Sequence, residues 1–97
     1  MLESKQRSRL AGMAQTRADL LQLGRDGASE ALAARLETLL ADHELVKLRF
    51  LDHKDERATL AASLAERTGS EIVRIIGNTA IFWKRNPDPR KRKVEID

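Results

Sequence analysis

The residues best placed to do chemistry in this 97-residue chain are Gly24, Arg25, Asp26 and Gly27. Two glycines in such a loop let the backbone turn tightly, and without Cβ atoms its N–H groups can approach an incoming oxyanion. Ser29 follows where a helix N-cap belongs, so unpaired amides and the positive pole of a helix would face the same point. Arg25 adds a mobile cation, whereas Asp26 opposes the arrangement by placing a carboxylate in it. The chemistry implied is the gripping of a phosphate. No Gly-Lys-Ser/Thr follows the second glycine, so the loop gives no basis for nucleotide hydrolysis. A strand-to-helix turn that merely needs two glycines is the plain structural alternative.

Covalent and metal chemistry find little support. Cysteine is absent, which excludes disulfides, thiolate ligands and cysteine nucleophiles. His43 and His53 are the only histidines, both fall in expected connections, and they form no close His-x-x-x-His pair. His43 fits the end of a helix, near its negative pole. Asp52, Asp55 and Glu56 cluster, but acidic residues at a helix start are favoured for ordinary dipole reasons. No set of nucleophile, base and orienting group is present. The expectation is a protein without catalytic machinery, cofactor, metal site or small-molecule substrate.

A second component is a set of cations. Lys47 and Arg49 alternate outward in one expected strand, Lys84 and Arg85 follow another, and Arg90, Lys91, Arg92 and Lys93 lie beyond it; Lys5 and Arg7 stand in the first helix. Residues 1–17 carry four basic and one acidic side chain, residues 84–97 six and three, and residues 18–83 eight and eleven. The ends therefore hold +6 and the body −3, which sums to the net +3. Basic termini on a slightly acidic body are the asymmetry of a polyanion binder. A solvated basic fringe would read the same way.

The elements that must position these groups follow from periodicity. Residues 4–15 read as a short helix capped by Ser4, with Leu10, Met13 and Ala14 on one face. Leu20, Leu21 and Leu23 form a buried strand stopped by the glycines. Leu32, Leu36, Leu39 and Leu40 define a helix over 29–42. Leu45, Val46, Leu48, Phe50 and Leu51 make a second strand. A third helix starts at Asp52 or Asp55, buries Leu60, Ala61, Leu64 and Ala65, and ends at Gly69. Strands over 72–76 and 80–83 flank a Gly77-Asn78 turn and read as an antiparallel hairpin. Phe82 and Trp83 then point to opposite faces, one into the core and the other free to stack on a base, although core packing is favoured for each.

The expected fold is α/β: a single α-β-α-β-α-β-β domain over residues 1–85 with a four-stranded mixed sheet, helices packed on it, and the first three strands paired in parallel. Residues 86–97, opened by Pro87 and Pro89, form a basic and mobile tail. No apolar run approaches the roughly 18 residues that cross a bilayer. The expectation is a soluble, cytoplasmic monomer with no membrane partner.

Four segments, in order, resemble the CRM domain (chloroplast RNA splicing and ribosome maturation) in its bacterial stand-alone YhbY-like form. They are Lys5-Gln6-Arg7 with Leu10, then Leu23-Gly24-Arg25-Asp26-Gly27, then His43-Glu44-Leu45-Val46-Lys47-Leu48. The fourth is Ile76-Gly77-Asn78-Thr79-Ala80-Ile81-Phe82-Trp83-Lys84-Arg85. The resemblance spans roughly residues 4–85. It implies a fold similar to the C-terminal domain of translation initiation factor 3 and RNA binding through the Gly-x-x-Gly loop. It also implies a role in ribosome biogenesis, on precursors of the large ribosomal subunit. The chain departs from the family pattern at Gln15 and Asp19, at Gly27-Ala28-Ser29, at Asn78 and at Trp83, which bears on the details of RNA contact. The partner expected is therefore RNA, ribosomal RNA above all. A protein-interaction module with a solubilising basic tail is the competing function.

Overall fold

Leu36 and Leu40 are fully buried, with Leu32 and Leu39 packed beside them, so the leucine stripe of the second helix does what its spacing demands. In the computed structural model, which describes residues 2–96, the elements run α1 (Ser4–Ala14), β1 (Leu21–Leu23), α2 (Glu30–His43), β2 (Leu45–Phe50), α3 (Arg57–Thr68), β3 (Glu71–Ile76) and β4 (Thr79–Trp83). Short 3-10 turns at Lys54–Glu56 and Pro89–Lys91 complete the chain. The expected α-β-α-β-α-β-β order holds, in a mixed sheet. Details at the element ends differ. Glu3, not Ser4, is the N-cap of α1, and its amide donates to Gln6 Oε1 at 2.9 Å. Leu20 and Leu51, read as strand residues, lie just outside β1 and β2 and are exposed.

The sheet order is β1-β2-β4-β3. β1 and β2 pair in parallel, Leu21 opposite Leu48 and Leu23 opposite Phe50, as the helical crossover requires. The expected parallel pairing of all of the first three strands is corrected: β4 inserts between β2 and β3 and pairs antiparallel with both. Burial explains the order. Ala80, Ile81, Phe82 and Trp83 are all buried, which suits a central strand covered on both faces. β3 exposes Arg74 and Ile76 and carries a register irregularity between Ile72 and Arg74, features at home on an edge.

Each face of the sheet has its own core. Leu23, Leu48, Phe50, Ala80 and Phe82 pack beneath α2 and α3. Leu45, Val73, Ile81 and Trp83 pack on the opposite face with Leu10, Ala11 and Ala14 of α1. Phe82 and Trp83 do point to opposite faces, and both faces are interior, so neither ring is open for a base. Val94 and Ile96 join that second core, with relative exposures of 4% and 3%. The expectation of a loose tail fails here, because residues 86–96 return across the domain and cover Trp83's side of the sheet.

Glu44 holds this segment down. It is 1% exposed and links α2 to β2 in a single residue with φ +63°. Its carboxylate accepts the amides of Asn86 (2.5 Å), Lys93 (2.5 Å) and Val94 (2.9 Å), while its own carbonyl accepts the Lys84 amide at 2.9 Å. A side chain other than glycine at positive φ costs roughly 1 kcal/mol, and charge-assisted hydrogen bonds contribute about 1.5–3 kcal/mol each, so the carboxylate outweighs the strain.

Glu44→Gly, which removes strain and carboxylate together, should therefore lower stability by roughly 3 kcal/mol in urea denaturation. It should also expose residues 86–96 to limited proteolysis. Wild-type stability in this variant would show that the three amide contacts contribute no more than the strain they accompany.

Candidate nucleic-acid interface

The 24–27 loop leaves the C-terminal end of β1 and delivers the chain to α2 in a tight turn, closed by the Gly27 amide donating to the Gly24 carbonyl at 3.0 Å. Gly27 has φ +63°, and a Cβ there would meet the His53 ring at 3.6 Å, so both its conformation and its neighbour favour glycine. Gly24 differs: its φ is not positive, and an added Cβ would meet nothing within 4 Å. Its bareness faces open space. The amides of Arg25 and Asp26 find no acceptor among the described residues.

Beside this turn lies the start of α2. Ser29 Oγ accepts the Leu32 amide at 3.1 Å, the N-cap expected from the sequence. A groove of about 300 Å³ runs between loop and helix, lined by Gln22, Gly24, Arg25, Gly27, Ser29 and Arg35 among others. Unpaired amides, the positive helix end and two arginines thus share one concavity. Asp26 also lines it, and Glu30 occupies the first turn of the helix. Nearby cations and carboxylates roughly balance, so an anion at this point would be held by directed amides more than by net charge.

Three residues outside the motif brace it. His53 Nε2 lies 2.8 Å from the Arg25 carbonyl oxygen, Arg67 donates to the Ala28 carbonyl at 2.7 Å, and the Leu51 amide donates to the Leu23 carbonyl at 2.9 Å. Arg57 donates to both Gly77 O and Asn78 Oδ1 at 2.8 Å, which fixes the adjacent β3–β4 turn. None of these ties has a local sequence signature. His53 and Arg67 lie 28 and 39 residues from their partners, and only the folded chain brings them together.

The other expected site residues divide. Arg49, opposite Gln22, and Lys47 share one sheet face and lead away from the loop. Lys84, Arg85, Arg90, Lys91, Arg92 and Lys93 lie towards the far end, where Trp83 pairs with Leu45; Phe50, at the loop end, is the last residue of β2. Six residues of strand separate the two ends by about 20 Å, so these cations do not converge on the loop. Several are also occupied. Lys84 Nζ donates to Thr68 O at 2.8 Å, Arg92 Nε to Asn86 O at 3.0 Å, and Arg90 pairs with Asp88 at 3.3 Å. Arg7 donates to the carbonyls of Ile72 and Val73, binding α1 to the irregular stretch of β3, while Lys5 is exposed on α1. Arg85 lies over the Trp83 ring, 5.7 Å from its centroid. Among the described residues no cluster of three His, Cys, Asp or Glu could hold a metal ion, and no helix is long and apolar enough to cross a membrane.

The model of the CRS1 / YhbY (CRM) domain matches residues 2–84. The chain belongs to this family. It is 35% identical over 78 residues to the Probable RNA-binding protein PA4753 of Pseudomonas aeruginosa, covering 79% of this chain and 75% of that protein. It is 25% identical over 97 residues to the Probable RNA-binding protein YqeI of Bacillus subtilis, covering 99% of both. The solution structure of the hypothetical protein SAV1595 from Staphylococcus aureus superposes with a TM-score of 0.81 at 27% identity, covering 98% of this chain and all of that one. The α/β architecture is thus that of a CRM domain.

Within this CRM domain, His53 ties the loop to pH. Its pKa is raised from the ordinary 6.5, first by the bond to the Arg25 carbonyl, which outweighs the opposing effect of burial, and then by the carboxylates of Asp52, Glu56 and Asp55. A raised folded-state value means the tie is at full strength below the ordinary value and weakens as pH rises through the raised one. The His53 ring should titrate above 6.5 by NMR. Protection of the Gly27 amide, bonded within the loop, should fall as pH rises through that raised value, a dependence absent from His53→Ala. An unshifted titration would remove the tie.

Proposed function

We propose that this chain binds RNA by clamping the phosphate backbone at the 24–27 loop, and that the RNA is ribosomal, in a precursor of the large ribosomal subunit. Family membership and the names of the two relatives support RNA as the ligand. The observation that carries the site is the pair of unpartnered amides at Arg25 and Asp26, set beside the N-terminus of α2. Such a turn offers fixed donors to an oxyanion without reorganisation, and the missing side chain at Gly24 lets the phosphate reach them. Arg25 and Arg35 supply charge, and Arg49 and Lys47 extend it along β2. Lys5, Arg7, Lys84, Arg85 and residues 90–93 fall outside this loop contact set, because they lie towards the other end of the sheet. The ribosomal part rests on the family resemblance.

The role is binding, without catalysis. A protein-docking role finds less support, since the exposed large apolar residues Leu20, Leu51 and Ile76 stand singly on different elements, as on most soluble surfaces.

Gly24→Asp and Arg25→Glu should each weaken binding to ribosomal RNA fragments by on the order of tenfold or more while melting like the wild type. The open space at Gly24 makes the first variant a fair test of binding rather than folding. With the four cations of this contact set on phosphates of a single strand, the affinity should fall with a log–log salt slope of about −3. Unchanged binding by both variants, or a flat salt response, would exclude the loop. Crosslinking in cell extract, followed by sequencing of the recovered RNA, tests the ribosomal assignment, which a scatter of messenger fragments would overturn.

A further inference from the structure

A depression larger than the loop groove lies away from the loop. It is a cleft of about 500 Å³ at the opposite end of the β1–β2 pair, bounded by the α1–β1 connection, the end of α2, the start of β2 and the C-terminal segment. Arg17, Lys47 and Lys93 line it, with Asp42, the exposed His43 ring and the exposed Leu20. The cations come from three separate stretches of chain. None is ion-paired among the described residues. Lys47 Nζ donates to the Arg17 carbonyl at 2.9 Å and Arg17 Nη1 to the Leu45 carbonyl at 3.4 Å, so both are positioned while keeping their charge available. Lys93 is placed by its backbone, whose amide is held by Glu44. Three cations face one carboxylate and the weak negative pole of α2, which leaves the cleft positive.

One further depression connects the cleft to the loop. A groove of about 350 Å³ along the outer edge of β1 shares Leu20 with the cleft and shares Gln22, Leu32 and Arg35 with the loop groove. β1 is an edge strand, so no other strand covers this path.

Resting on the RNA-binding reading above, we propose that the Arg17–Lys47–Lys93 cleft is a second nucleotide site, reached by a single RNA strand that leaves the 24–27 loop and follows the free edge of β1. Arg17 and Lys93 neutralise phosphate there, and His43 and Leu20 offer a ring and an apolar surface to a base, which aromatic side chains accept with little sequence preference. The volume lies within the roughly 300–1,000 Å³ typical of small-ligand sites. The two sites are about 20 Å apart along the strands, so only an RNA of several nucleotides reaches both.

The test is fluorescence anisotropy with labelled oligouridylates of about 4 and about 12 nucleotides, a range that brackets one and two sites. Wild type should bind the longer one more tightly. Arg17→Glu and Lys93→Glu should each weaken the longer oligomer on the order of tenfold and leave the shorter unchanged, and each should reduce the salt slope by about 0.7 for a lost phosphate contact. Lys93→Ala, which introduces no negative charge, should reproduce that slope change if the glutamate variant melts early. Lys91→Glu makes the same charge change in the same segment but outside the cleft, and should have little effect. Equal losses from Lys91→Glu, Lys93→Glu and Arg17→Glu, or none from the latter two, would overturn the cleft and leave the loop reading standing. Failure of the wild type to bind either oligomer would overturn the cleft proposal, and failure to bind ribosomal RNA fragments as well would overturn the RNA-binding reading itself.

Discussion

A buried carboxylate at a helix-to-strand corner holds this molecule in its shape. Glu44 sits where α2 must turn into β2 within one residue, and its side chain collects three backbone amides from the segment that follows β4. An unmet amide in that position would cost about 1–3 kcal/mol, and a buried carboxylate without donors more. Each side therefore needs the other. Through this contact Val94 and Ile96 are laid over Trp83 and Ile81, and the face that α1 covers only in part becomes a core. The same contact sets the backbone of Lys93 beside Arg17 and Lys47.

With both faces of the sheet covered, the surface left for a ligand is its ends and its β1 edge. β4 takes the centre because it is apolar on both sides, and β1, only three residues long, is left at the rim. At one end, the loops after β1 and β2 meet the β3–β4 turn and hold one another through His53, Arg57 and Arg67. Rigid bracing matters there because the local charges nearly cancel. A mobile loop bearing one arginine and one aspartate would have little hold on a phosphate, whereas amides fixed in direction keep theirs. At the other end the balance reverses, and cations from three stretches of chain outnumber the carboxylate beside them.

The element types were legible because they rest on local patterns. The leucine spacing of α2, the cap at Ser29, the left-handed Gly69 and the Gly77-Asn78 turn all appear where the residues indicate. The loop was legible for the same reason: two glycines before a capped helix form a continuous stretch. The C-terminal segment was misread. Its four consecutive basic residues suggest a solvated tail, but Val94 and Ile96 are two apolar positions too few to show a period, and they become meaningful only against the uncovered face they fill. Glu44 gave no warning either, since one acidic residue after a helix looks like surface until its partners, 42 or more residues away, arrive.

What the amino-acid order determined by itself was therefore the set of helices and strands, the family to which they belong, and the glycine turn that leads into the capped α2, because each depends on residues a few positions apart. Tertiary structure alone decided that β4 lies between β2 and β3, that the tail is packed, that Arg7, Lys84 and Arg92 are spent on backbone carbonyls, and that Arg17, Lys47 and Lys93 share a cleft. Those outcomes turn on which distant groups can bury one another's polar atoms, and that depends on where the completed sheet leaves a face, an edge or a carbonyl uncovered.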